Sequence, residues 1–158
     1  MPSASSIDSA PVSERDARNA APVTAHAPAE GGCLCGAIRY RIDAPPSSSV
    51  LCHCRSCRRA SGAPVVAWIT VPRAALVIRS GAPVRFESSP GVVRQFCGRC
   101  GSPLTYERRA DPSIDITTAS LDQPERFAPT GEVWLSQRLE WQPAQPTLEH
   151  SQGSSLET

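Results

Sequence analysis

Apolar and polar residues alternate along the middle of the chain in short runs. Ala37-Ile38-Arg39-Tyr40-Arg41-Ile42 has the period of two expected of a half-buried strand. Residues 65–71, 76–80, 84–87, 92–96, 114–117 and 133–135 have the same character. Each is bounded by Pro, Gly, Ser or Asp. Prolines at 45, 46, 64, 72, 83, 90, 103, 112, 124, 129 and 143 leave no room for a long helix. One helical turn is predicted over 56–60, ended by Gly62, and a second near 124–127. The class is therefore mainly β, built of short strands with little helix.

The pattern fails at both ends. Residues 1–30 are Ala, Pro, Ser and scattered charges without an aromatic residue, and they predict a flexible tail. They lack the basic start and apolar stretch of a secretory signal. Asp8, Glu14 and Asp16 argue against a transit peptide. Residues 144–158 are polar and aperiodic, and they predict a second flexible tail. Residues 31–143 form one expected domain. No apolar run is long enough to span a bilayer.

Composition changes this picture in one respect and narrows it in others. All 16 basic residues are Arg, against 15 acids, for a net charge of +1. Without Lys there is neither Schiff-base chemistry nor a Walker-type phosphate loop. The near balance of charge, and a first arm of net −2, argue against nucleic acid. The absent signal predicts a cytoplasmic protein. In that reducing compartment seven cysteines read as metal ligands or reactive groups, and an odd number cannot pair completely.

The cysteines fall into three clusters: Cys33-Leu34-Cys35-Gly36, Cys52-His53-Cys54-Arg55-Ser56-Cys57 and Cys97-Gly98-Arg99-Cys100-Gly101. The third has the spacing of a zinc knuckle, which supplies half of a tetrahedral site. Two thiolates from the first cluster complete a closed site of four thiolates with a structural role. Cys52, Cys54 and Cys57 remain. Three protein ligands and one open position are the signature of a catalytic zinc. If residues 51–54 are extended, Cys52 and Cys54 share a face and His53 points the other way. That counts against His53 as a ligand. Three thiolates leave a Zn²⁺ site at −1, which suits capture of a substrate thiolate better than generation of hydroxide. Arg55, Arg58 and Arg59 crowd the same loop and are candidates for binding substrate carboxylates. Asp122 reads as a turn or capping residue. Trp68, Phe86, Trp134 and Trp141 read as core or rim packing. His26 and His150 lie in the expected tails, outside the site.

The stretches Gly32–Tyr40, Cys52–Gly62 and Phe96–Leu104, with Ser120-Leu121-Asp122, Pro129-Thr130 and residues 134–141, resemble the glutathione-dependent formaldehyde-activating enzyme family, which includes centromere protein V. The resemblance covers nearly all of residues 31–143. It implies a β-tent fold of short antiparallel strands stapled by zinc. It implies two Zn²⁺ ions, one on Cys33, Cys35, Cys97 and Cys100, the other on Cys52, Cys54 and Cys57 with an open position. The implied activity is that of a carbon–sulfur lyase forming S-(hydroxymethyl)glutathione from glutathione and formaldehyde, a detoxification step. Two rivals remain at this point: a zinc-stabilised binding module without catalysis, and a redox protein using Cys52, Cys54 and Cys57 as free thiols. The oligomeric state is not legible.

Overall fold

The computed structural model describes residues 28–154. The expected tail 1–30 therefore falls mostly outside the described residues, as do positions 155–158 of the other end. Within 28–154 the protein is two β-sheets and one short α-helix, so the mainly β expectation holds.

The smaller sheet contains β1 (Ala29–Gly32), β2 (Arg39–Ile42) and β5 (Leu76–Ser80), in the order β1-β2-β5, all antiparallel. The larger sheet contains β3 (Ser48–Cys52), β4 (Val66–Pro72), β6 (Val84–Ser89), β7 (Val92–Phe96), β8 (Pro103–Arg108), β9 (Ser113–Thr117), β10 (Gly131–Val133) and β11 (Glu149–His150). Its order is β11-β10-β3-β4-β9-β8-β7-β6. The pairing is antiparallel except around β10, which runs parallel to both β3 and β11. Helix α1 (Arg55–Ser61) leaves the end of β3 and is closed by Gly62 in the left-handed conformation, φ 70°. The turn expected near 124–127 is a 3-10 turn, Pro124–Phe127.

The alternation in β4 and β9 assigns each residue to a face. Ile69, Val71, Ile114 and Ile116 point between the sheets. There they pack with Ile38, Tyr40, Ile42, Leu104, Leu121 and Phe127, all nearly inaccessible to solvent. Removal of this apolar area from water is the main drive for the two sheets to associate. Val66 and Trp68, on the other face of β4, join Val133, Cys52 and Cys57 in a second cluster. The second face of the larger sheet is the one that carries the site.

Four strands have no clear alternation in the sequence. β1 and β8 flank the knuckles, β3 runs into Cys52, and β11 lies in the expected C-terminal tail. The segment 144–154 is tied to β10 through Ser151 N–H to Glu132 O at 2.8 Å and Trp134 N–H to Gly153 O at 2.8 Å.

Candidate active site

Three thiols meet where β3 passes into α1. Cys52 is the last residue of β3, opposite Val66 of β4 and Val133 of β10. Cys54 is the N-cap of α1, and its sulfur accepts the Cys57 N–H at 3.2 Å. Cys57 lies on the buried face of the helix. Their Sγ atoms all lie within 4.8 Å of one another. Hydrogen bonds from Cys52 and Cys57 hold the Cys54 thiol far below its ordinary value. The same Cys54 contact, then Cys57 and burial, push Cys52 up. One proton is thus readily lost from the trio, which suits a cation-binding group.

Extension through residue 53 turns His53 to the opposite face, as the alternation predicts. It is fully buried, and its Nε2 lies 3.1 Å from Oε1 of the buried Glu132. The second oxygen of Glu132 accepts Gln145 N–H at 2.9 Å and lies 3.3 Å from His150 Nε2. His53 therefore braces the loop from behind and belongs to no sulfur cluster. His150, expected outside the site, completes this brace.

A second cluster lies at the junction of the two sheets. Cys33 and Cys35 come from the loop after β1, Cys97 and Cys100 from the loop after β7. Their sulfurs also lie within 4.8 Å of one another, with Cys33–Cys35 at 3.6 Å and Cys35–Cys97 at 3.8 Å. The Ser102 hydroxyl and backbone lower Cys100 to about 5. A tetrahedral zinc with Zn–S bonds of ~2.3 Å separates its sulfurs by about 3.8 Å. Both clusters therefore fit a metal ion of zinc's size and softness, the first with three donors and the second with four.

The three-cysteine cluster opens into a cleft of about 1230 Å³ over the second face of the larger sheet. Registered pairs run in one row across its floor: Ser48, Thr70, Asp115, Tyr106, Arg94 and Phe86. The Ser48 hydroxyl donates to Thr70 Oγ1 at 2.9 Å, and Thr70 donates to Asp115 Oδ1 at 2.7 Å. Burial raises the Asp115 carboxyl above 3.8. The Arg94 guanidinium lies 4.8 Å over the Tyr106 ring, and its Nη2 donates to Cys57 Sγ at 3.6 Å. Trp68 packs against Tyr106 with ring centroids 6.3 Å apart. Trp134 also lines the cleft, from a left-handed backbone at φ 60°. Such strain in a bulky residue is tolerated where surrounding bonds fix the chain, here its N–H to Gly153 O and its O from Gln137 N–H.

The three arginines picked out beside the loop part company. Arg59 lines the cleft. Arg58 is occupied in bracing the loop: Nε donates to His53 O and Nη2 to Gln137 O, each at 3.1 Å. Arg55 is exposed, does not line the cleft, and its backbone N–H meets Gln137 Oε1 at 2.8 Å. Asp122 forms a bidentate ion pair with Arg39, away from the cleft. Sequence reasoning passed over Arg94, Tyr106 and Asp115. Their only sequence signal is shared strand parity, which needs the pairing register to become a constellation.

The fold and its two thiol clusters define a mainly β protein with paired metal-type cysteine centres. The chain belongs to the glutathione-dependent formaldehyde-activating enzyme family, whose profile matches residues 28–137. A Halomonas elongata protein named "Putative glutathione-dependent formaldehyde-activating enzyme" is 34% identical over 127 residues, covering 71% of this chain and 78% of that one. A crystal structure of a Rhodobacter sphaeroides protein has the same fold, with a TM-score of 0.51 at 23% identity over 59% of this chain and 87% of that one.

Proposed function

We propose that the protein is a zinc-dependent carbon–sulfur lyase that joins glutathione to formaldehyde as S-(hydroxymethyl)glutathione, in a cytoplasmic detoxification role. The observation that carries this reading is the three-cysteine cluster at the wall of a cleft of about 1230 Å³, more than enough for a tripeptide thiol. Family membership and the name of the Halomonas elongata relative support the choice of thiol and aldehyde.

Zinc on Cys52, Cys54 and Cys57 supplies a soft cation that favours the thiolate form of the substrate. The chain's own residues do the rest. Cys54 as helix cap and Cys57 on the first turn hold two donors in fixed relation. The His53–Glu132 brace and the Arg58 bonds to His53 O and Gln137 O fix the loop that carries them. Arg59 at the cleft wall offers a planar, permanent cation to a substrate carboxylate. Trp68, Tyr106 and Trp134 give the cleft apolar wall area against which a substrate can pack. Cys33, Cys35, Cys97 and Cys100 would hold a second zinc, in a structural role.

The test compares wild type with Cys54→Ser. Magnetisation exchange between free and hydroxymethylated glutathione gives the rate of adduct formation above the uncatalysed background. Wild type accelerates exchange and holds two zinc ions per chain. Cys54→Ser holds one and falls to background. Acceleration retained by the one-zinc variant sinks the assignment. A folded, two-zinc wild type without acceleration leaves the binding-module reading in its place.

A further inference from the structure

Arg94 is a cation in the cleft to which the proposed chemistry gives no role. Its guanidinium comes from β7, and the residue is only 9% exposed. Two exposed arginines nearby have carboxylate partners, Arg85 of β6 with Glu107 and Arg109, just past β8, with Glu87. Arg94 has none within ion-pair distance among the described residues. Its neighbours are the Tyr106 face beneath it and the Cys57 sulfur beside it. A nearly buried cation with no carboxylate in contact is costly, and beyond the longer-range attraction of Asp115 its retention calls for anionic company. Three thiolates supply part of that, and one N–H of the five on the guanidinium is spent on Cys57. Arg94 lines the cleft beside that sulfur, with donors left over from the Cys57 contact.

We propose that Arg94 is a catalytic residue which holds the aldehyde oxygen as it becomes an alkoxide. This rests on the thiol–aldehyde reading above. The thiolate sulfur gives an electron pair to the carbonyl carbon, and the C–S bond forms. The π pair of the C=O bond moves to oxygen, and the new charge falls two bonds from sulfur. Donors fixed beside Cys57 Sγ, next to where a substrate thiolate would join the cluster, are preorganised for that charge. The alkoxide then takes a proton from water in the cleft. The hydroxide left behind is neutralised by the proton that the thiol released to solvent on ionising, so thiol plus aldehyde gives the hydroxymethyl thioether and nothing else. In the cleaving direction the same bonds to oxygen loosen as the carbonyl re-forms. Asp115, in the same row, has the wrong charge for this task, and Arg59 is free for a carboxylate further along the substrate.

Two readouts test Arg94 with the zinc-loaded protein. The first is binding without turnover. Mercaptoacetate carries a negative oxygen three bonds from its sulfur, while 2-mercaptoethanol carries a neutral one at the same distance. Calorimetric titration of wild type should favour mercaptoacetate by about tenfold or more. Arg94→Gln should erase the preference, and Arg94→Lys should keep part of it. The second is the rate: kcat for adduct formation should fall about 10²–10³-fold in Arg94→Gln, with the KM for glutathione little changed. If Arg94→Gln sheds zinc, Arg94→Lys carries both measurements. Equal anion preference in wild type and variant, or an unchanged kcat, overturns the proposal. A wild type that makes no adduct, yet shows an Arg94-dependent preference for mercaptoacetate, overturns the reaction and the catalytic role while keeping Arg94 as an anion-holding group.

Discussion

Single residues decide where charge is tolerated in this protein. Asp115 sits in the floor of the cleft, and burial lifts its carboxyl above its ordinary value of 3.8, only partly offset by the Thr70 hydroxyl. A raised acid favours the folded state when protonated. Its stabilising contribution is full below 3.8 and is lost as pH rises through the folded value. At neutral pH the fold therefore bears the cost of a buried charge. Asp115→Asn, which can still accept from Thr70, should have the higher Tm at pH 7. The gap should close as pH falls towards 3.8. Paired melts across that range check this, and a gap independent of pH rules it out. The seven cysteines were the most legible residues in the sequence, because metal-ligand spacing is local and chemically specific. The division into four and three matches the two sulfur clusters of the fold. Arg94 was illegible for the opposite reason. In Val92-Val93-Arg94-Gln95-Phe96 it looks like the outward residue of an alternating strand, and its face became part of the cleft only once α1 brought Cys57 beside it.

At the level of elements, alternation found strands where one face is wet and missed them where neither face has a simple identity. β3 carries Ser48, Ser49 and Cys52, small polar residues that are partly or wholly buried, so no period of two stands out. β11 is two exposed residues with no propensity to announce it, and it exists through pairing with β10. That pairing also presents His150 to Glu132, the centre of the brace behind the reactive loop. Glu132→Ala should leave the fully buried His53 without its carboxylate partner, at a cost of about 1–3 kcal/mol for the unsatisfied group. His150→Ala removes a partly exposed contact and should cost less than about 1 kcal/mol. Urea unfolding of both variants makes the comparison. Equal losses would show that the brace does not depend on its buried member. The expected helix over 56–60 was found nearly in register because Gly62 stops it in the sequence as it does in space. Its N-cap was harder to see, since a thiol takes the place usually held by Ser, Thr, Asp or Asn.

The whole molecule is two sheets joined by an apolar interface and, at one end, by four sulfurs. Cys33 and Cys35 follow a strand of the small sheet, and Cys97 and Cys100 follow a strand of the large one, so the two zinc sites of the proposed function should differ in what they do for stability. Cys35 and Cys97 are 62 positions apart, and the unfolded chain cannot bring such ligands together without closing that loop. By the chain-entropy argument used for cross-links, a loop of this size corresponds to about 4 kcal/mol. Metal held there binds the folded state far better than the unfolded one, and the difference becomes folding free energy. Cys52, Cys54 and Cys57 lie within one short stretch, so an unfolded chain keeps much of its affinity for the same ion, and the folded state gains little. Cys97→Ser should therefore lose one zinc and a large part of its stability, with a Tm many degrees lower or a chain that fails to fold. Cys54→Ser should lose one zinc with a small change in Tm. Zinc content and thermal melts on the two purified variants check this together. Similar Tm losses in both, each with one zinc remaining, would mean that both sites hold the sheets together and that neither is reserved for chemistry.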